Sequence, residues 1–452
     1  MSFRRTACVL AATAVAALAV LPAAQAQPDV RGGAQEPPVT TDVSDAAAGW
    51  LARQLVGGDH FENVYDNVTY PDQGLTLDAV FAFTAAGVAG TNADRATAWL
   101  AKPDVLDNYL HFGKPTESYA GAHAKLALAV QVHGQDPTAF GGVDLIAGLT
   151  ALQSPSGRFR DKSAFGDFSN GFTQAFAVLA LDRREGGAPK AAVDYLVGTE
   201  CPDGGFPLVL EEAKCAPHVD ATAMVAQALL AADRTTEAGR ALDWLSRVQQ
   251  PGGGFRDEGK TDEGNANSTG LAAQALRAGG RTAAADRAAA FLTASQVGCP
   301  APAADRGAIA FDRTGFKQAT SLRASAQGVL GLVGVGFGEL KAGNATPGAP
   351  VLDCRSTTST SPTSSTSSTS DTSGTTTGTT TTTADATGTT TDTATSTSTT
   401  TTTAAAVVSN GSGDLARTGA SVGPVLWIGV LMLLGGVLAV ALSRKRYAGV
   451  RK

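Results

Sequence analysis

Charged side chains are scarce in this chain. Only 17% of its 452 residues are Asp, Glu, Lys or Arg, and the formal net charge is −6. Globular domains contain about 25% charged residues, which indicates that part of this chain is not globular. Without a basic excess, the composition excludes a strongly basic nucleic-acid binder and points to no particular partner.

Several sequence signatures of catalysis are also missing. The chain has no H-E-x-x-H, no C-x-x-C pair and no thioester-type Cys-Gly-Glu-Gln. Because no C-x-x-C occurs, zinc binding by the cysteines is a weaker interpretation than disulfide bonding, and we expect neither a metal nor a cofactor. These gaps leave enzymatic activity uncertain and make a non-catalytic role the preferred prediction.

The N-terminus has the three parts of a secretory signal peptide. Arg4 and Arg5 are followed by an apolar core, Ala7–Leu21, and by the small-residue cleavage site at 24–26. We therefore predict a signal peptide over residues 1–26, with a buried helix or a retained anchor as the alternative, and a linker over 27–43.

A long polar segment separates the C-terminus from the rest of the chain. Residues 356–403 hold 38 Ser or Thr in 48 positions. Such a composition cannot offset the entropy of ordering by burial. Residues 355–414 are thus predicted to be a disordered Thr/Ser stalk, of a composition typical of O-glycosylated segments.

The last 38 residues combine a short motif, an apolar run and a basic tail. The motif is Leu415-Ala416-Arg417-Thr418-Gly419, the apolar run spans about 424–442, and five basic residues follow it. The run is long enough to cross a bilayer, with the tail staying cytoplasmic. A plain transmembrane anchor is the alternative to what the motif suggests.

This triplet resembles the LPxTG-type sorting signal of Gram-positive wall proteins, with Ala416 in place of proline. The resemblance implies that a sortase thiolate attacks the Thr418 carbonyl and passes Thr418 to a peptidoglycan amine. It predicts an exported protein at the cell surface, with sortase and peptidoglycan as partners. The membrane would hold only the precursor, through its C-terminal helix.

Residues 44–354 contain six repeats of about 48 residues. The anchor pairs follow one another at spacings of 49, 49, 47, 49 and 47: Trp50-Leu51, Trp99-Leu100, Gly148-Leu149, Tyr195-Leu196, Trp244-Leu245 and Phe291-Leu292. Each lies in an Ala-rich segment with helical spacing of apolar residues. A second, less charged helix follows each Gly-rich turn, predicted at 75–86, 120–132, 171–181, 220–231, 267–278 and 322–333.

Alternating outer and inner helices in six pairs predict an all-α, closed α/α toroid. Closure avoids the apolar end faces that an open array leaves. An open superhelix is the competing architecture. Within the closed ring we expect a funnel or cavity along the axis.

A turn motif recurs after several of the anchors. Gln249, Gly253 and Phe255 follow Trp244-Leu245, and the same spacing recurs in repeats 3 and 4. Gly permits the tight turn and the aromatic ring packs on the next outer helix. The motif resembles the Q-x-x-x-G-x-W repeat of the squalene cyclase and prenyltransferase superfamily, which implies its toroid scaffold. Repeats 2 and 6 depart from it.

Four cysteines remain after the signal peptide is removed, and they permit three pairings. Export favours disulfide bonds. Cys201–Cys215 would close the turn of repeat 4, and Cys299–Cys354 would tie the end of the domain to its last repeat.

One short segment is similar to the catalytic motif of class II triterpene cyclases. In His218-Val219-Asp220-Ala221-Thr222-Ala223, Asp220 takes the place of the protonating middle Asp, and His218 replaces the first. The resemblance implies that Asp220 is an acid poised on an apolar cavity and tuned by His218. Helix capping is the competing role, because repeat 5 has Asn267-Ser268-Thr269 in the same place.

A polar rim is the remaining candidate site. Asp78, His123, Thr173, Asn267 and Arg323 fall near equivalent inner-helix starts, where they would converge at one mouth of the ring. The favoured function is thus a surface-displayed binding module for an unknown ligand, which is an apolar small molecule, a glycan or a protein. Toroids of this shape also resemble the cobalamin-carrying domain of transcobalamin and complement-type thioester domains, so the scaffold alone does not identify a ligand. A cyclase-like or prenyltransferase-like enzyme and a structural or adhesive protein are the alternatives.

Overall fold

The computed structural model describes residues 36–256 and 264–355. The predicted signal peptide, the stalk beyond Arg355, the sorting motif at 415–419 and the apolar segment at 424–442 lie outside these residues. From Pro37 onward the described chain belongs to one unit.

The described residues form thirteen helices and four short strands. The helices, in chain order, are α1 Val43–Arg53, α2 Gln73–Ala86, α3 Gly90–Leu100, α4 Pro103–His111, α5 Ala120–Val132, α6 Leu145–Thr150, α7 Gly171–Asp182, α8 Lys190–Val197, α9 Val219–Ala231, α10 Thr235–Val248, α11 Ala266–Ala278, α12 Thr282–Ala294 and α13 Gln318–Val333. The strands are β1 Val39–Thr40, β2 Glu62–Tyr65, β3 Val68–Pro71 and β4 Val351–Leu352. The chain is mostly helical, as the repeat pattern predicts.

Six helices form an inner ring. α2, α5, α7, α9, α11 and α13 each pack against the next, and α13 packs against α2. This last contact closes the ring, so the closed toroid describes the helices better than an open superhelix. The inner helices are buried along nearly their whole surface, which matches their low charge. Their bounds lie within four residues of those that the sequence predicts.

The other helices lie outside this ring and are amphipathic. α10 buries Ala238, Ala241, Leu242, Trp244 and Leu245. Its acidic and basic residues face away from the core. Repeat 2 has two outer helices, α3 and α4, because Pro103 begins a new helix at its first position. The anchor pairs of the repeats thus mark the outer layer.

The predicted turn motif works as a link between neighbouring repeats. The side chain of Gln249 donates hydrogen bonds to the carbonyl oxygens of Gly253, at 3.0 Å, and Ala284, at 2.9 Å. Gly253 has a φ of +85°, and a Cβ atom there would lie 2.2 Å from the Arg287 carbonyl oxygen. Only glycine fits both demands. Phe255 is fully buried behind the turn.

The same link closes the ring between the last and first repeats. Gln296 donates to the carbonyl oxygen of Val43 in α1 at 2.8 Å, and Trp50 Nε1 donates to the Ala304 carbonyl oxygen at 3.0 Å. Repeat 6 lacks the sequence motif but keeps its contact. Parallel pairing of β1 with β4 holds the two ends of the domain together.

Both predicted disulfide bonds are present. Cys201–Cys215 closes the loop before α9, and Cys299–Cys354 ties the loop after α12 to the end of the domain.

Residues 334–350, which we call the strap, run past the C-terminal ends of five inner helices. Gln274 in α11 donates to the Val335 carbonyl oxygen, and the Ala342 N–H donates to the Val132 carbonyl oxygen that ends α5. Arg183, which follows α7, donates to three strap carbonyl oxygens, those of Phe337, Gly338 and Leu340. The strap therefore forms a floor across this end of the ring.

Candidate functional site

A repeated hydrogen bond fixes the register of the inner helices. In five of the six inner helices, a backbone N–H that precedes the helix donates to a side chain near its start: Phe61 to Thr76, Phe159 to Gln174, Phe206 to Thr222, Phe255 to Thr269 and Ile309 to Ser325. Residues two positions before these acceptors form the rim level, and those two positions after them form the middle level.

Asp220, Asn267 and Arg323 occupy equivalent positions at the rim level. Asp220 and Asn267 are buried, at 5% and 7% exposure. The side chain of Arg323 keeps 27% of its surface exposed. This agreement of position between repeats comes from the register, and it places three polar side chains at the ends where α9, α11 and α13 begin.

A buried ion cluster joins three inner helices, with Asp78 at the middle level and Arg323 at the rim level. Lys125 Nζ of α5 lies 2.6 Å from Asp78 Oδ1 of α2, and Arg323 Nη1 lies 3.1 Å from Asp78 Oδ2. Lys125 Nζ also donates to the Gly74 carbonyl oxygen at 2.9 Å. Burial lowers the pKa of Lys125, and the neighbouring Asp78 carboxylate opposes that shift. With Asp78 and both bases ionised, the three side chains carry a net charge of +1.

Aromatic rings fill the axis between the ion cluster and the strap. The Phe337 ring lies 5.0 Å from the Phe81 ring of α2 and 6.1 Å from the Phe176 ring of α7, measured between centroids. Since α5 stands between α2 and α7 in the ring, a side chain that contacts both lies inside it. The Phe337 N–H also donates to Gln227 of α9 at 2.9 Å.

The expected funnel or cavity along the axis is therefore wrong at these levels. Lys125 Nζ stands 6.0 Å from the centroid of the Phe176 ring, so the charged and aromatic layers meet directly. Phe337 is 2% exposed and Lys125 is 4% exposed. The chain's own side chains take the volume that a ligand would need.

Asp220 and His218 lie together at the start of α9. His218 is the N-cap, and its Nδ1 accepts a hydrogen bond from the Asp220 N–H at 3.2 Å. Asp220 itself lies in the first turn, so the capping role predicted as an alternative for Asp220 belongs to His218. In repeat 5 the cap is Asn265, which accepts from the Ser268 N–H, while Asn267 lies within α11.

Two buried amide oxygens on α11 and α13 lack a hydrogen-bond partner among the described residues. They are Asn267 Oδ1 at the rim level and Gln327 Oε1 at the middle level. Asn267 lies one turn before Gly270, where α11 touches the Gln327 backbone of α13. Unsatisfied buried acceptors cost free energy, so they favour a donor from water or a ligand.

Thr173 and His123 do not join the rim, and Asp78 lies below it at the middle level. Thr173 completes a capping box with Asn170 at the start of α7. The His123 ring points at the outer layer, against Gly148 of α6, and its Nε2 lies 3.1 Å from Ser118 Oγ. Burial and the nearby His111 lower the pKa of His123 to about 4, so it is neutral at pH 7.

Lys125 is the site residue that sequence reasoning missed. A single lysine within an otherwise apolar inner helix, AGAHAKLALAVQV, was the available signal. A lysine is rarely buried without a charged partner. Pairing Lys125 with Asp78, the acidic residue of another apolar inner helix, would have predicted the cluster.

A surface cleft away from the axis is a further candidate site. A cleft of about 390 Å³ lies beside the Cys201–Cys215 loop, where Tyr195, Val209 and Glu211 line it. Within residues 36–256 and 264–355, no group of His, Cys, Asp and Glu is arranged to hold a metal ion. No helix in the same ranges is long and apolar enough to cross a membrane.

Comparisons with known proteins find similar solved structures. The type II terpene cyclase MstE from Scytonema, in complex with geranylgeranyl dihydroxybenzoate, has a TM-score of 0.48 at 16% identity, covering 64% of this chain and 95% of that one. A protein from Actinoplanes has a TM-score of 0.46 at 17% identity, covering 64% and 98%. For the ent-copalyl diphosphate synthase from Streptomyces platensis the values are 0.37 and 19%, covering 57% of this chain and half of that one.

No protein-family model matches the sequence, and neither does any curated protein. Likeness to solved structures at such low identity does not identify a reaction or a ligand.

Proposed function

We propose that this protein is exported, covalently anchored in the cell wall, and displays the ring as a binding module whose ligand meets the rim at Arg323. The ligand carries an anionic group, and the carboxylates of wall glycopeptides are our first candidate. A filled axis is the observation that carries the proposal, because it leaves the rim as the polar surface of the ring.

Export is supported by the two disulfide bonds, since such bonds persist in oxidising compartments. The anchoring rests on the sorting motif, which lies outside the described residues. Thr418→Ala removes the residue whose carbonyl a sortase would attack. We expect that variant in the membrane fraction, while the parent protein is released only by wall digestion and ends at Thr418 with an attached wall peptide. Release of both proteins by detergent alone would overturn the anchoring.

The guanidinium of Arg323 favours an anionic ligand at the rim. Within the cluster of Asp78, Lys125 and Arg323, a single guanidinium nitrogen of Arg323, Nη1, bonds to Asp78. Among the described residues, the other Arg323 nitrogens have no bonded partner. A guanidinium with free donors pairs well with a carboxylate.

A variant pair tests the rim. Arg323→Gln removes the charge, and Arg184→Gln is the control because Arg184 is exposed beyond α7, away from the rim. The wall-released protein is incubated with soluble muropeptides, and retained material is identified by native mass spectrometry. We expect retention by the parent and by Arg184→Gln, and at least tenfold less by Arg323→Gln. Equal retention by all three proteins would contradict a rim site.

A cyclase-like enzyme is the second candidate, and one observation favours it. Asp220 is 5% exposed at the start of an inner helix, which suits an acid shielded from water. The Phe337 ring and the ion cluster occupy the axis that a polyprenyl substrate would need. Turnover of a polyprenyl substrate that is lost in a folded Asp220→Asn variant would establish this candidate in place of the binding module. If neither a bound ligand nor turnover were found, the structural or adhesive role would remain.

A further inference from the structure

The hairpin formed by β2 and β3 projects from the ring just before α2. Its register pairs Asn63 with Tyr70 and Tyr65 with Val68, around a turn at Asp66-Asn67. Both turn residues have positive φ values, 49° and 59°, as a two-residue type I′ turn requires. The Asp66-Asn67 pair between Tyr65 and Val68 is the sequence signal of this turn.

The base of the hairpin is fixed to the domain, while its body is exposed. Phe61 is buried, its N–H donates to Thr76 Oγ1, and its carbonyl accepts from the Asp72 N–H at 2.7 Å. Residues 62–71 are exposed throughout. Within the described chain no third strand joins β2 and β3, so both edges of the hairpin keep free backbone groups.

Apolar side chains are concentrated on this hairpin. Of the nine large apolar side chains exposed in the described chain, four lie here: Val64, Tyr65, Val68 and Tyr70. Tyr65, Val68 and Tyr70 share one face, because side chains alternate along a strand. The two tyrosines are 45% exposed each. Such a patch on a protruding element is typical of an interaction site.

The charged residues of the hairpin and of the sequence directly beside it are acidic. Asp59, Glu62, Asp66 and Asp72 lie in or beside the hairpin, and the sequence has no Lys or Arg between Arg53 and Arg95. His60 Nδ1 pairs with Asp59 at 2.5 Å, and no lysine or arginine of the described chain forms an ion pair with the four acids. Aromatic faces within a negative field attract cations.

We propose that the Tyr65–Val68–Tyr70 face of the hairpin is a docking surface for a cationic, extended segment of a partner protein. Lysine or arginine side chains would lie over the two tyrosine rings and near Asp66 and Asp72, whose carboxylate contacts Asn63 on the same face. The free edges of the hairpin would pair with the backbone of the segment, as in strand addition. Charge complementarity is what selects this partner. None of these residues belongs to the rim, so the hairpin and the rim can fail independently.

Binding is measured on the full wall-released protein by isothermal titration calorimetry. The probe is an acetylated and amidated peptide of five Lys-Thr pairs, and a Glu-Thr peptide of the same length is the charge-reversed control. We expect the Lys-Thr peptide to bind in 50 mM salt, at least tenfold more weakly in 300 mM salt. The Glu-Thr peptide should not bind.

Variants locate the binding on the hairpin. Tyr65→Ser with Tyr70→Ser should weaken binding at least tenfold, and Asp66→Asn, which keeps a residue suited to positive φ, about threefold. Phe168→Ser, at the same 45% exposure elsewhere, is the matched control and should bind as the parent does. Unchanged binding in the double tyrosine variant would overturn the proposal. So would binding of chitohexaose but not of the Lys-Thr peptide, since it would make the face a glycan platform.

Discussion

Lys125, Asp78 and Arg323 show how a few charged residues organise the centre of an otherwise apolar ring. Burying two opposite charges costs desolvation free energy that their attraction only partly repays. Each charge is therefore tolerated because of the other. Asp78 accepts from bases on both sides of α2, so it joins α5 to α13 across the helix between them. Sequence reasoning found Asp78 and Arg323 as rim residues, but not the partner that links them.

This dependence predicts strong coupling between Lys125 and Asp78. Lys125→Met leaves Asp78 with half its charge compensation, and we expect a loss of about 3 kcal/mol in the free energy of unfolding. Lys125→Met with Asp78→Leu removes the buried pair and leaves Arg323, which reaches solvent. The double variant should be more stable than Lys125→Met by about 2 kcal/mol in urea unfolding. A double variant that is no more stable than Lys125→Met would show that the two side chains do not depend on each other.

His123 makes the stability of the domain sensitive to acid. Burial lowers its pKa to about 4 in the folded state, against about 6.5 in the unfolded chain, so unfolding takes up a proton between these values. Its contribution to stability is complete above about pH 6.5 and is lost as pH falls towards 4. Asp161 acts in the opposite direction, because burial raises its pKa to about 6. Its contribution is present at low pH and is lost as pH rises through 6.

We therefore expect His123→Gln to change the pH dependence rather than stability alone. Between pH 7 and 4.5 the parent protein should lose about 2 to 3 kcal/mol more stability than the variant, measured by urea unfolding at both pH values. Ser118, His111 and α6 surround the ring in both proteins. A parallel loss in parent and variant would show that His123 does not govern the acid response.

The inner helices are the elements that sequence predicts best. They are rich in Ala, Leu and Gly, and turn residues bound them about every 48 positions, so the pattern predicts where each helix begins and ends. Their observed ends lie close to the predicted ones. The strap was not predicted because it has no periodicity and its position depends on contacts with five helices. Phe337 carries no local signal of its own role. The repeat pattern therefore could not predict whether the axis of the ring is open or filled.

The packing of Phe337, in the strap, leads to a direct prediction. Phe337→Ala should cost about 3 to 5 kcal/mol of unfolding free energy, because it leaves a void beside Phe81 and Phe176. Phe168→Ala, on the surface, should cost less than about 0.5 kcal/mol. Chemical denaturation of both variants checks this. If both losses were equally small, Phe337 would not be the packed floor of the ring.

For the molecule as a whole, the two ends of the domain are joined at one place. Gln296 and Trp50 link repeat 6 to repeat 1, β1 pairs with β4, and Cys354 is bonded to Cys299 next to the start of the predicted stalk. The chain thus leaves the domain from a point that a covalent bond fixes. The repeat count and the cysteine positions predicted this closure, whereas the contacts that perform it required the structure.

The central claim is that this ring is filled by its own side chains and acts through its surface. Native mass spectrometry of the protein released from the wall of its producing cells tests it most directly. We predict a domain without a bound apolar molecule, whose mass equals that of the mature chain and its wall peptide together with any glycan on the stalk. A stoichiometric polyprenyl or other apolar molecule, released on denaturation and lost in Asp220→Asn, would contradict the claim.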